Sequence, residues 1–317
     1  PQGKLSIMRI IFAGSSEYAI PILEELVASR RHQIVMVLSQ PARPKGRKLI
    51  LEDTPLTNAA RLLGLSVFCP EDVNSPEALT RISSAVPHII VTASFGAFLS
   101  KSLRELPRYG AINLHPSLLP LHRGASPVRS AILSGDILTG NSIFRLTRRM
   151  DAGPILMQEP LKIQADENYS SLHDRLANQA AQMLLDLLQK IPNITEIKQD
   201  HSLATYSQMI TKRDLLLDFS LPAELLLRQI RAYALEPGAY TMFRGKELKI
   251  LSAESLPSPQ SYEPGCISAV LKNKGFTIRV SDAELLVRSV QASGKKAMDA
   301  WAYSLGARFQ PGERIDL

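Results

Sequence analysis

The 317-residue sequence predicts an α/β fold: a mostly parallel, twisted sheet covered on both faces, followed by a smaller domain built as a barrel or sandwich of strands. Three observations carry that reading. From residue 8 to residue 190, brief apolar runs alternate with segments of helical period, as strands joined by crossover helices do. Beyond Tyr206 the runs become short and evenly spaced, divided by Gly, Pro, Asn and Asp turns. The length itself suits about two domains.

Residues 8–13 form the first apolar run and stop at Gly14-Ser15-Ser16, after which Ile20, Leu23, Leu26 and Val27 recur at helical spacing with Pro21 in the first turn. Residues 34–38 make a second strand and lead into a Pro/Gly/basic loop over 40–47. The next helix carries Leu56, Ala59, Ala60, Leu62 and Leu63. Further strands are expected at 67–68, 89–91, 111–114 and 141–147, and one long amphipathic helix at 170–190. The first domain is therefore drawn over 1–191, a linker over 192–207 and the second domain over 208–317. That second domain opens with a helix over 222–234 and continues with strands at 239–243, 248–253, 265–271, 276–280 and 285–290; an oligonucleotide-binding-like barrel is one candidate. Sheets of the first kind bind ligands beyond the carboxyl ends of their strands, which directs attention to the loops after Ala13, Leu38, Thr92 and Leu114.

Composition removes several classes of function. With 45% hydrophobic and 21% charged residues, the chain is neither disordered nor membrane-embedded in character, and no apolar run approaches the roughly 18 residues a membrane span needs. The first seven residues carry no apolar signal-peptide core, so export is not expected. Cys69 and Cys266 stand far apart and outside any Cys-x-x-Cys pair, which suggests no disulfide framework, no zinc cluster and a reducing compartment, the cytoplasm. Lys and Arg number 37 against 30 Asp and Glu, and a pI of about 9.4 makes an acidic partner such as nucleic acid plausible. Gly14 is a single glycine where a dinucleotide fingerprint needs three, so a tight turn is the better reading and a nicotinamide cofactor is disfavoured. Neither a P-loop nor a G-x-S-x-G elbow is present in the sequence.

The chemically informative stretch runs Asn113-Leu114-His115-Pro116-Ser117-Leu118-Leu119-Pro120, then His122-Arg123-Gly124-Ala125. Side chains in a strand repeat every second residue, so Asn113 and His115 face the same crevice. A carboxamide donates to a developing oxyanion, and an imidazole exchanges protons near neutral pH. The plainer alternative is that Asn113 ties down a loop and His115 is a satisfied, half-buried histidine. Pro116 and Pro120 bracket a stiff loop that offers either a fixed backbone edge to a flat polar ligand or merely a rigid turn. Asp151, in the turn Met150-Asp151-Ala152-Gly153-Pro154, either bonds its own backbone or reaches His115 and fixes the imidazole tautomer.

Taken together, RIIFAGS, the QPARPKGRKL loop, NLHPSLLPLHRGASPV, MDAGPIL and a tail containing GKKAM resemble the methionyl-tRNA formyltransferase family over nearly the whole chain. The resemblance implies a Rossmann-like domain that binds 10-formyltetrahydrofolate as formyl donor, with no metal, and an oligonucleotide-binding-like barrel that helps hold initiator methionyl-tRNA. It carries the catalytic roles to Asn113, His115 and Asp151, and a folate-contacting role to Ser117, Leu118, Leu119 and Pro120. Contacts to the tRNA fall to Arg43, Lys45, Arg47 and Lys48 in the basic loop and to Lys295 and Lys296 in the tail, with Arg228 and Arg231 as further candidates. The loop is shorter than in many relatives, and 232–238 stands where relatives commonly carry Asn-Pro-x-Pro. Trp301 reads as packing rather than base stacking. A monomer is expected. The rival readings are a formyltransferase acting on an amino sugar nucleotide, a formylfolate hydrolase or dehydrogenase module, and a non-catalytic RNA-binding module.

Overall fold

The computed structural model describes residues 7–45, 49–257 and 262–315. The chain divides into two compact units: one runs up to Pro127 and includes Leu138–Lys162 and His173–Ser207, the other comprises Val128–Ile137, Ile163–Leu172 and the chain from Gln208 onward.

The first unit begins with β1 (Arg9–Gly14), α1 (Ala19–Ala28) and β2 (Gln33–Leu38). Ile10, Ile11, Phe12 and Ala13 of β1 are all fully buried, which is what a continuous apolar run demands: the strand is covered on both faces. A short antiparallel hairpin follows, β3 (Arg43–Lys45) against β4 (Ile50–Glu52), in the stretch whose composition suggests only a loop. Along the chain then come α2 (Pro55–Leu62), β5 (Val67–Phe68), α3 (Pro76–Ser84), β6 (Ile89–Ala93), α4 (Lys101–Glu105), β7 (Ala111–His115), β8 (Arg123–Gly124), α5 (Pro127–Ser134), β9 (Leu138–Arg145), β10 (Ile155–Lys162), α6 (Tyr169–Lys190) and β11 (Tyr206–Ser207), of which α5 beyond Pro127 and the first residues of α6 belong to the second unit. The α2 stripe differs from the expected one. Leu56, Thr57 and Ala60 face inward while Leu62 is 90% exposed, because at 3.6 residues per turn Leu62 falls on the opposite side of the helix from Leu56 and Ala60.

Seven strands form one sheet in the order β10-β9-β7-β6-β1-β2-β5. The five from β7 to β5 run parallel, and β9 and β10 add an antiparallel edge. Register aligns the strand ends: Ala13 pairs with Leu38, Gly14 with Ala93, and Ala93 with Leu114. The loops after these strands therefore leave from one edge. Gly14 is needed for that closeness, since a Cβ there would stand 2.6 Å from the Ala93 carbonyl oxygen and 2.8 Å from the Ala19 Cβ. Its role is a tight turn, as the missing fingerprint glycines suggest.

The second unit is an antiparallel sheet with helices. After α7 (Ala223–Ala232) come β12 (Tyr240–Phe243), β13 (Lys246–Leu256), β14 (Ile267–Leu271), β15 (Gly275–Arg279), β16 (Glu284–Ala292), β17 (Met298–Asp299) and α8 (Ala300–Ala307). The order is β12-β13-β16-β15-β14, with β17 on β16. Leu226 and Ile230 of α7 pack with Ile250, Phe276, Ile278 and Val287 of the sheet in one core. Phe309 meets Phe243 and Phe276 edge-on at centroid distances of 4.9 and 4.7 Å, the arrangement aromatic quadrupoles favour. The Asp282 carboxylate accepts from the Ala223 backbone N–H at 2.8 Å and satisfies a donor at the start of α7. No helix among the described residues is long and apolar enough to cross a membrane.

Candidate active site

β7 delivers two of the expected residues. Asn113 pairs with Thr92 on β6, and His115 pairs with Ser142 on β9. The Thr92 hydroxyl donates to Asn113 Oδ1 at 2.6 Å, so the carboxamide oxygen is held inside and the Nδ2 end is left as the donor. His115 is 5% exposed and packs edge-on to Phe144. Its Nε2 lies 3.0 Å from the backbone carbonyl of His122, which can only accept; Nε2 therefore carries a proton, and Nδ1 faces the other way.

What Nδ1 faces is Asp151. The carboxylate oxygen Oδ2 stands 3.8 Å from Nδ1, an ion-pair distance longer than a direct hydrogen bond. The same Oδ2 accepts from the Gly124 backbone N–H at 2.8 Å. The Asp151 carboxylate thus bonds the Gly124 backbone and stands within ion-pair distance of His115, while the imidazole tautomer is set by the His122 carbonyl. Asp151 and His122 both sit in left-handed backbone conformation, at φ +49° and +54°. Such φ values are uncommon for residues other than glycine and persist where surrounding bonds hold them.

His122 N–H donates to Thr205 Oγ1 at 2.8 Å, and the Asp151 turn is held by a buried pairing absent from the sequence reading. Arg123, 3% exposed, donates from Nη2 and Nε to Gln199 Oε1 at 2.6 and 3.2 Å. Gln199 Nε2 in turn donates to the backbone carbonyls of Asp151 at 2.9 Å and Gly153 at 2.7 Å. Arg123 also donates to His201 Nδ1 at 2.9 Å. Gln199 lies in the stretch read as linker, and nothing local marks it. Arg123 and Gly124 follow directly on the His115 loop, and that adjacency was the one available signal.

The loop 117–120 is braced from within. The Ser117 hydroxyl donates to the Leu121 carbonyl at 2.6 Å, Leu119 N–H donates to Ser142 Oγ at 3.0 Å, and Gln158 Nε2 donates to the Leu119 carbonyl at 2.9 Å. Leu119 is buried with Phe144 and Ile155, while Leu118 and Pro120 remain half-buried. Most of the polar backbone edge that the prolines suggested is taken up internally, so what the loop offers a flat ligand is chiefly shape.

The basic candidates scatter. Arg43 and Lys45 are exposed on the β3–β4 hairpin, where Arg43 pairs with Glu71 at 2.9 Å and Lys45 with Glu52 at 3.5 Å. Exposed pairs of this kind are weak and open to exchange for a phosphate. Arg47 and Lys48 lie outside the described residues. Lys295 and Lys296 are exposed in the second unit, between β16 and β17. Arg228 and Arg231 are less available than their sequence suggests. Arg228 donates to Glu224 at 2.8 Å and to the Ser134 carbonyl, and Arg231 donates to the Ala165 carbonyl. Among the described residues no three His, Cys, Asp or Glu side chains gather as a metal site.

Residues 8–188 match the formyl transferase family and residues 209–308 match the formyl transferase C-terminal domain, and the chain belongs to that family of enzymes. Its fold is shared by HypX from Aquifex aeolicus, solved in complex with tetrahydrofolic acid, with a TM-score of 0.66 at 16% identity over 98% of this chain and 50% of that one. Within the family it belongs with the methionyl-tRNA formyltransferases. It is 37% identical to the methionyl-tRNA formyltransferase of Thermotoga maritima over 98% of both chains, and 39% identical to that of Roseiflexus castenholzii over 97% of this chain and 99% of that one.

Proposed function

We propose that this enzyme transfers the formyl group of 10-formyltetrahydrofolate to the α-amino group of methionine on initiator methionyl-tRNA, acting as a monomer in the cytoplasm, where charged tRNA is found. The observation that carries the reading is the meeting of the His115 imidazole and the Asp151 carboxylate beside Asn113. It is joined by the names of relatives that match from end to end.

The folate supplies a formyl carbon bonded to N10, and the braced 117–120 loop, with half-buried Leu118 and Pro120, fits a flat ring by shape. Asn113 turns Nδ2 toward the formyl oxygen and stabilises the negative charge that grows there as the amine adds; His115, whose Nε2–H is held by the His122 carbonyl, assists in its doubly protonated form. An α-amino group is a nucleophile only when neutral, and with an ordinary pKa near ~7.7–8.0 it needs modest help from a base. Asp151 gives that help, orienting the imidazole and taking up the amine's proton through water. N10 must be protonated as it leaves, and His115 or a bound water delivers that proton. Arg43, Lys45, Arg47, Lys48, Lys295 and Lys296 supply positive charge for the tRNA phosphates.

The test is direct. The protein is incubated with 10-formyltetrahydrofolate and charged initiator tRNA, or in a second arm with an amino sugar nucleotide. Formylmethionine in the first arm is the expected product. A formylated sugar with unmodified methionyl-tRNA would overturn the reading.

A further inference from the structure

A basic groove of about 670 Å³ opens in the first unit where β7 begins and β9 ends. Register sets its place relative to the chemistry. Ile112 pairs with Arg145 and His115 with Ser142, so the groove lies three residues, roughly 10 Å, back along β7 from the imidazole. None of Asn113, His115, Asp151 and the 117–120 loop lines it.

Its wall carries Lys101, Arg104, Arg108, Arg145 and Arg148. Two of these charges are answered: Lys101 stands 3.9 Å from Glu105, and Arg145 Nε donates to Glu196 at 2.8 Å. Among the described residues no carboxylate lies within ion-pair distance of Arg104, Arg108 or Arg148. Arg104 is half-buried and held in place by neutral groups only, its Nη1 donating to the carbonyls of Leu99 at 2.9 Å and Thr147 at 3.2 Å. With Glu105 and Glu196 the only acidic residues of the lining among the described residues, five cationic side chains leave the groove with an excess of positive charge that favours an anion. Guanidinium forks match phosphate oxygens in geometry as well as charge.

The rest of the lining narrows the ligand. A lone phosphate would occupy a small part of the groove, whose volume falls within the range of small-molecule sites. Leu146, Ile191 and Ile194 add apolar surface to the lining, and the Tyr109 ring lies 5.2 Å from the Arg108 guanidinium. From charge, volume and wall together we infer that the groove binds a nucleoside polyphosphate, with the phosphate chain on Arg104, Arg108 and Arg148 and the base along the apolar side.

ATP is titrated into the full-length protein by calorimetry at low and high salt, and into the double variant Arg108→Glu/Arg148→Glu. Both side chains are exposed and outside the catalytic set, and circular dichroism confirms that the variant folds. Expected are saturable binding that weakens with salt, and a loss of roughly tenfold or more in the variant, the scale of a charged hydrogen bond removed. Absence of binding, or binding that the variant leaves intact, would overturn the proposal. So would indifference to ATP combined with variant-sensitive binding of an RNA oligonucleotide, which would make the groove a backbone-phosphate contact.

Discussion

Asp151 and Gly124 are joined by a 2.8 Å hydrogen bond from the Gly124 N–H to the carboxylate oxygen that also faces His115. The carboxylate is thus anchored to the strand end that follows the His115 loop. Its position depends on backbone and its chemistry on charge. Asp151→Asn separates the two, since the carboxamide oxygen still accepts from Gly124 while the negative charge is lost. Turnover should fall roughly a hundredfold or more, the scale of general acid–base help, with folate affinity retained. Near-normal turnover would remove Asp151 from the mechanism.

Gln199 positions Asp151 without touching the imidazole. Gln199→Glu keeps an acceptor for Arg123 but sets a carboxylate oxygen against the carbonyls of Asp151 and Gly153, where the amide now donates. The turnover number should drop by about tenfold or more and the pH profile of turnover should shift, with KM for the folate little changed. A variant that loses only thermal stability, with the profile unmoved, would make Gln199 merely structural.

Tyr18 is fully buried and its hydroxyl donates to Asn141 Oδ1 at 2.6 Å, with burial pushing the phenol far above its usual titration range. Asn141 Nδ2 is already engaged with the Leu176 carbonyl and Gln179. Tyr18→Phe leaves Oδ1 buried without its donor and should cost about 1–3 kcal/mol in denaturant unfolding. A change near zero would mean that water replaces the hydroxyl.

His32 gives the first unit an acid-sensitive term. Burial, then the neighbouring Arg31, lowers its pKa below the ordinary 6.5. The unfolded chain consequently takes up a proton near 6.5 that the folded chain still refuses, so stability is full above that pH and declines as pH falls toward the folded value. His32→Asn should flatten this part of the curve of denaturation midpoint against pH. Parallel curves for the two proteins would rule the contribution out.

Arg43 and Lys45 should act through charge alone. Raising salt should weaken tRNA binding steeply while folate binding holds, and Arg43→Ala/Lys45→Ala should lower the salt slope. Equal salt sensitivity of both ligands would argue against a phosphate contact.

The buried parallel strands, the order of the two units and the shared face of Asn113 and His115 were legible in the sequence, because they rest on local periodicity: apolar runs for strands buried on both faces, and a two-residue repeat for side chains on one face; the β3–β4 hairpin and the edge strand β10, without such runs, were not. Bringing Asp151 to His115, orienting Nδ1 through the His122 carbonyl, and clamping the Asp151 turn with Arg123 and Gln199 were decided by the tertiary structure. Arg123 and Gln199 lie 76 positions apart, and each is an ordinary polar residue in its own neighbourhood. Only when the fold excludes water from both do they have to satisfy one another, and no pattern along the chain records that demand.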